Sequence, residues 1–111
     1  MIVDPKELEL SHLENFNGGV GALDSHMFVD PNGLGKFMRG HLDPGSSIGL
    51  HTHATSSEII YFLSGSGHCV YEGEMEEVRA GVFHYCPKGK SHSLINDSDA
   101  PLEFVAVVPE Q

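Results

Sequence analysis

Three histidines and one glutamate carry the chemistry that this sequence can be expected to do. They stand in two runs, Gly45-x5-His51-x-His53-x4-Glu58-x6-Gly65 and Gly81-x5-Pro87-x-Gly89-x2-His92-x3-Asn96. Imidazole nitrogen and carboxylate oxygen together suit a borderline divalent cation, and both runs lie among residues that read as short strands. A cation so held could polarise a carbonyl, stabilise an enediolate or, if it were iron, activate dioxygen.

The elements that must position these groups are strands. Helical periodicity is nearly absent, and thirteen glycines and six prolines divide the chain into segments too short for ordinary helices. The pattern predicts strands over Ala22–Val29, Lys36–Leu42, Ser47–His53, Glu58–Leu63, Gly67–Tyr71, Met75–Val78, Val82–Cys86, His92–Ile95 and Leu102–Val108. Turn chemistry separates them at Asp30-Pro31-Asn32-Gly33, Asp43-Pro44-Gly45, Glu72-Gly73, Pro87-Lys88-Gly89 and Asn96-Asp97-Ser98-Asp99. Asp4-Pro5-Lys6-Glu7 predicts one short helical turn, capped by Asp4. The expectation is one all-β domain over residues 1–111, a sandwich or a barrel.

On a strand, His51 and His53 point to the same face. Glu58 follows the polar break Ala54-Thr55-Ser56-Ser57, where a tight reversal would bring its carboxylate beside them. His92 must arrive by tertiary contact.

The two runs resemble the two signature motifs of the cupin superfamily, with no substitution at any motif position, and the interval Ser66 to Ala80 has the short length of small single-domain members. The resemblance covers Gly45 to Asn96. It implies a jelly roll, or double-stranded β-helix barrel, enclosing one divalent metal held by His51, His53, Glu58 and His92. Manganese or iron is the favoured metal, with nickel, zinc or cobalt also compatible. The resemblance further implies a small metalloenzyme acting on an oxygen-bearing metabolite, as a dioxygenase, isomerase, lyase or decarboxylase. The alternative is a non-catalytic small-ligand-binding or sensory cupin. Small members are commonly homodimers, so residues 1–21 are expected as an N-terminal arm or exchanged strand, and the apolar Tyr61 and Leu63 face as an interface.

Alternation suggests the cavity lining. If Glu58 faces inward, so do Ile60 and Phe62; if His92 does, so does Leu94. Met38, Phe104 and Ala106 are the inward choices on their own strands, with Arg39 and His41 turned outward. The cavity is then mainly apolar apart from the metal, and the sequence offers no general base inside it. Either face is open to His84, while His12, His26 and His68 read as surface or hydrogen-bonded residues.

Composition narrows the partners. Six basic against sixteen acidic residues give a formal charge of −10, which disfavours nucleic acid and anionic membranes. Glu72, Glu74, Glu76 and Glu77 read as a solvated hairpin. Cys69 and Cys86 lack a CxxC spacing and read as buried free thiols. No apolar run is long enough to span a bilayer, and Met1 to Leu10 has no signal-peptide pattern, so a soluble cytoplasmic protein with a small-molecule ligand is expected.

Overall fold

The computed structural model describes residues 1–111, and in it the β-branched and aromatic runs become ten antiparallel strands. They are Leu10–Glu14 (β1), Ala22–Val29 (β2), Gly35–Leu42 (β3), Ser47–Thr52 (β4), Glu58–Ser64 (β5), Ser66–Tyr71 (β6), Glu74–Arg79 (β7), Phe83–Cys86 (β8), Ser91–Ile95 (β9) and Leu102–Pro109 (β10). One sheet has six strands in the order β1-β2-β3-β10-β5-β8, and the other has four in the order β4-β9-β6-β7. This is the expected jelly roll.

The pleat sends alternate residues of each sheet into the space between the two. Leu23, Leu42, Ile60, Phe62, Leu102, Phe104 and Ala106 enter from the larger sheet. Ile48, Cys69, Val78 and Leu94 meet them from the smaller one. Burying each of the larger side chains removes enough apolar surface to stabilise the fold by about 1.5–3 kcal/mol. Both thiols are free and buried, and burial raises Cys69 to about 12 and Cys86 to about 11, so neither is a nucleophile or a ready ligand at neutral pH.

At the N-terminus Asp4 caps the 3-10 turn Pro5–Glu7, its carboxylate accepting from the Lys6 amide at 3.0 Å. Strand β1 was not among the expected strands. Its sequence, Leu-Ser-His-Leu-Glu, has little apolar content, and no residue in it is fully buried. It becomes a strand because it lies in register along the edge of β2, from Leu10 opposite His26 to Glu14 opposite Ala22. Tertiary pairing outweighs weak local preference here.

Two irregularities shape the region around the histidines. Between β4 and β9 the register runs from Ile48 opposite Leu94 to His51 opposite His92, so one extra residue is accommodated on β4. That bulge includes Gly49, whose missing side chain lets the backbone carbonyl of Asn17 approach to 2.0 Å from where a β-carbon would sit. At the far end, Asn96 is fully buried. Its amide donates to the carbonyls of Leu42 and Ala100, both at 2.9 Å, and its oxygen accepts from the Ser98 amide and hydroxyl. Asn96 thereby pins the turn that returns the chain to β10.

Candidate metal centre

The bulge in β4 decides where His51 points. In an unbroken strand Ile48 and Leu50 would share a face; here Ile48 is buried, Leu50 is exposed, and His51 turns inward with Ile48. His53 lies just past the strand end. Its backbone amide donates to the Lys90 carbonyl at 3.0 Å, and its carbonyl accepts from the Gly89 amide, so the Pro87–Gly89 turn holds it in place. Glu58 opens β5 opposite Cys86, and His92 lies on β9 opposite His51.

The four side chains of the two motifs meet. Nε2 of His53 lies 3.1 Å from Oε1 of Glu58 and 3.0 Å from Nε2 of His92. Nε2 of His92 lies 3.1 Å from Nε2 of His51 and 2.9 Å from Oε1 of Glu58. All four ligand atoms fall within 4.8 Å of one another.

A polar partner stands behind each of the three rings. Nδ1 of His51 faces the Gly49 carbonyl at 2.8 Å; a carbonyl only accepts, so this nitrogen carries the hydrogen and Nε2 presents a lone pair. Nδ1 of His53 faces the Ser56 hydroxyl at 2.9 Å, and Nδ1 of His92 faces Nε2 of His84 at 2.9 Å. Bare nitrogens about 3 Å apart around a carboxylate repel one another unless a cation lies between them. Burial lowers the pKa of His51 below its ordinary value, which disfavours a proton in that role. Burial alone would raise Glu58, but the His53 and His92 rings beside it bring it down to about 2, so it is a carboxylate at neutral pH. The residues present fit a divalent metal.

The cavity beside the cluster has a volume of about 30 Å³. Of the residues expected to line it, Met38, Ile60, Leu94 and Phe104 do so, together with His51, Glu58 and His92. Phe62 and Ala106 are fully buried in the adjoining core, with the Phe62 ring 6.4 Å from that of Phe104. Sequence alternation did not reach Phe16, Leu23, Ile48 and Ser93, which complete the wall. Phe16 arrives on the 3-10 turn Phe16–Gly18, outside any strand, so no pleat periodicity could place it.

No cation enters the cavity. Arg39 is exposed and lies 3.8 Å from Glu103. Lys90 is 3.6 Å from Glu72, and the Lys88 ammonium donates to the Gln111 carbonyl. His41 lies on the outer face between Glu103 at 2.5 Å and Asp43 at 2.7 Å. His12 is bonded to Asp24 and His26 to the Leu8 carbonyl, and Nδ1 of His68 lies 2.7 Å from Asp97. His84 alone among the five other histidines turns toward the cluster, because Ile60 opposite it sets β8 with Phe83 and Tyr85 outward. Burial, then the neighbouring His92, lowers its pKa.

Residues 38–108 match the cupin domain family. The chain is a cupin. An oxalate-binding protein of Thermotoga maritima is 33% identical over 112 residues, covering 97% of this cupin and 93% of the relative. A crystal structure of a predicted oxalate decarboxylase from the same organism superposes with a TM-score of 0.93 at 33% identity, over 100% of both chains. The cupin domain of Schizosaccharomyces pombe Cnp3 superposes with a TM-score of 0.82 at 8% identity, over 100% of this cupin and 74% of that chain, a likeness of fold alone. No helix of this cupin is long and apolar enough to cross a membrane.

Proposed function

We propose that this cupin holds one divalent metal ion through His51, His53, Glu58 and His92 and binds a small chelating dicarboxylate, of which oxalate is the first to test. The observation that carries the reading is the convergence of four donor atoms, 2.9–3.1 Å apart between neighbours, against a small apolar cavity. Imidazole and carboxylate donors together suit manganese or iron, and an octahedral ion held by these four would keep two positions for a bidentate ligand.

A volume of about 30 Å³ admits a ligand of only a few atoms, far below the roughly 300–1,000 Å³ of sites for drug-sized molecules. With no lysine or arginine inside, a second carboxylate must be bound by the metal rather than by a protein cation. The Thermotoga relative, described as oxalate-binding, supports the same ligand class. The metal would supply Lewis acidity to whatever oxygen it binds.

Turnover of that ligand, by decarboxylation or another reaction, is the second reading. The related structure described as a predicted oxalate decarboxylase favours it. Against it, the polar groups on the wall are His51, Glu58 and His92, already committed to the metal, and Ser93, which is no general base at neutral pH. Calorimetric titration of oxalate into manganese-loaded protein, with parallel assays of carbon dioxide release and oxygen consumption, separates the readings. Metal-dependent binding without product supports the binding protein, product formation supports the enzyme, and neither binding nor product overturns both.

We also infer a homodimer and a cytoplasmic location. Ile59, Leu63, Phe83 and Tyr85 are exposed on the outer face of β5 and β8, an apolar surface fit for a second copy. The two unpaired cysteines suit a reducing compartment.

A further inference from the structure

We propose that His84 is a positioning residue for the metal centre: it fixes the hydrogen of His92 on Nδ1 and so turns the Nε2 lone pair toward the metal. The inference rests on the metal-centre reading above and names a residue outside the four-ligand motif.

The three histidines of the cluster are oriented by unlike partners. A backbone carbonyl faces Nδ1 of His51 and can only accept, so it settles the tautomer by itself. The Ser56 hydroxyl at Nδ1 of His53 can accept or donate. At Nδ1 of His92 the partner is another imidazole, Nε2 of His84 at 2.9 Å, with the two rings within 18° of parallel. An imidazole nitrogen accepts in one tautomer and donates in the other. If His84 donated, Nδ1 of His92 would have to accept, its hydrogen would move to Nε2, and that atom would be lost to the metal.

What faces the far side of His84 decides the matter. Its Nδ1 lies 3.5 Å from Oε1 of Glu76 on β7. A carboxylate accepts, so it favours the His84 hydrogen on Nδ1 and leaves Nε2 as an acceptor for His92, while a bound metal would occupy Glu58, the acceptor otherwise 2.9 Å from Nε2 of His92. The order runs from the half-exposed Glu76 through buried His84 to His92, each group setting the tautomer of the next. The Tyr71 ring stands edge-on at 6.0 Å and closes the remaining side of His84. Partners of this kind behind a metal-binding imidazole typically contribute about 10–100-fold to metal affinity.

The test compares His84→Phe, which keeps a flat ring and removes the acceptor, with His84→Gln, whose amide oxygen can occupy the place of Nε2. Manganese affinity should fall about 10–100-fold in His84→Phe and by less than about tenfold in His84→Gln. Long-range proton–nitrogen spectra of wild type loaded with diamagnetic zinc, which takes Glu58 away from Nε2 of His92, should show His84 protonated on Nδ1. A His84 protonated on Nε2, or a His84→Phe protein that binds manganese as tightly as wild type, overturns the proposal. The spectrum decides it even if a variant does not fold. Failure of wild type to bind any metal would instead overturn the metal-centre reading, and with it a role for His84 at that centre.

Discussion

Gly40 on β3 lies directly opposite Phe104 on β10, and a β-carbon on Gly40 would sit 2.4 Å from the Phe104 ring. Phe104 is 1% exposed and packed in the core, so it can give way only by losing packing or by narrowing the cavity it lines. Gly40→Ala should therefore cost about 1–3 kcal/mol through overpacking. Thermal unfolding measures it, and the expected result is a midpoint several degrees below wild type. An unchanged midpoint would show that the ring can shift freely.

Phe16 gives the cavity its limit on the N-terminal side. Phe16→Ala should enlarge the site and raise the affinity of the longer dicarboxylate malonate relative to oxalate, at a stability cost below the roughly 3–5 kcal/mol of a fully buried Phe. Calorimetry of both ligands with the manganese-loaded variant reads the ratio. A ratio equal to wild type would remove Phe16 as the determinant of ligand size.

The outer face supplies a pH-dependent contribution to stability. The hydrogen bond to Asp43 raises the His41 pKa above 6.5, burial opposes it, and Glu103 adds to the rise. A folded-state pKa above the unfolded value means that the stabilisation is complete below about pH 6.5 and is lost as pH climbs through the raised value. Wild type should therefore exceed His41→Gln in thermal midpoint by more at pH 6 than at pH 9, as unfolding at both values would show. A difference that grows with pH would contradict the assignment.

Much of this was legible in the sequence because the pleat repeats every two residues. Ile60, Leu94, Phe104 and Met38 reach the cavity wall along the faces that alternation assigns, and the ordered His, His, Glu, His spacing marks the side chains that converge. Alternation fails where the backbone departs from it. The bulge at Gly49 brings Ile48 and His51 onto one face, and a glycine inside a strand was the only local sign of it. Phe16 and the edge strand Leu10–Glu14 owe their places to long-range packing, which no local pattern records. For His84 the alternation left two faces equally open, and only its register against Ile60 chooses between them.

The apolar outer face makes a prediction about assembly. Phe83 is 68% exposed and Tyr85 55%, beside Ile59 and Leu63 on the neighbouring strand. Wild type should sediment as a dimer and Phe83→Glu as a single chain, because a charge buried in an apolar interface without a partner is costly. A wild-type mass of one chain would end the homodimer inference.

The metal centre itself is tested most directly by titrating manganese into metal-free protein and counting the sites. Wild type should take up one ion per chain. His51→Ala and His92→Ala, each with its β-sheet spectrum intact, should take up none at the same concentrations. Full occupancy in either folded variant would contradict the account, because the cation would then not depend on the donors that β4 and β9 bring together.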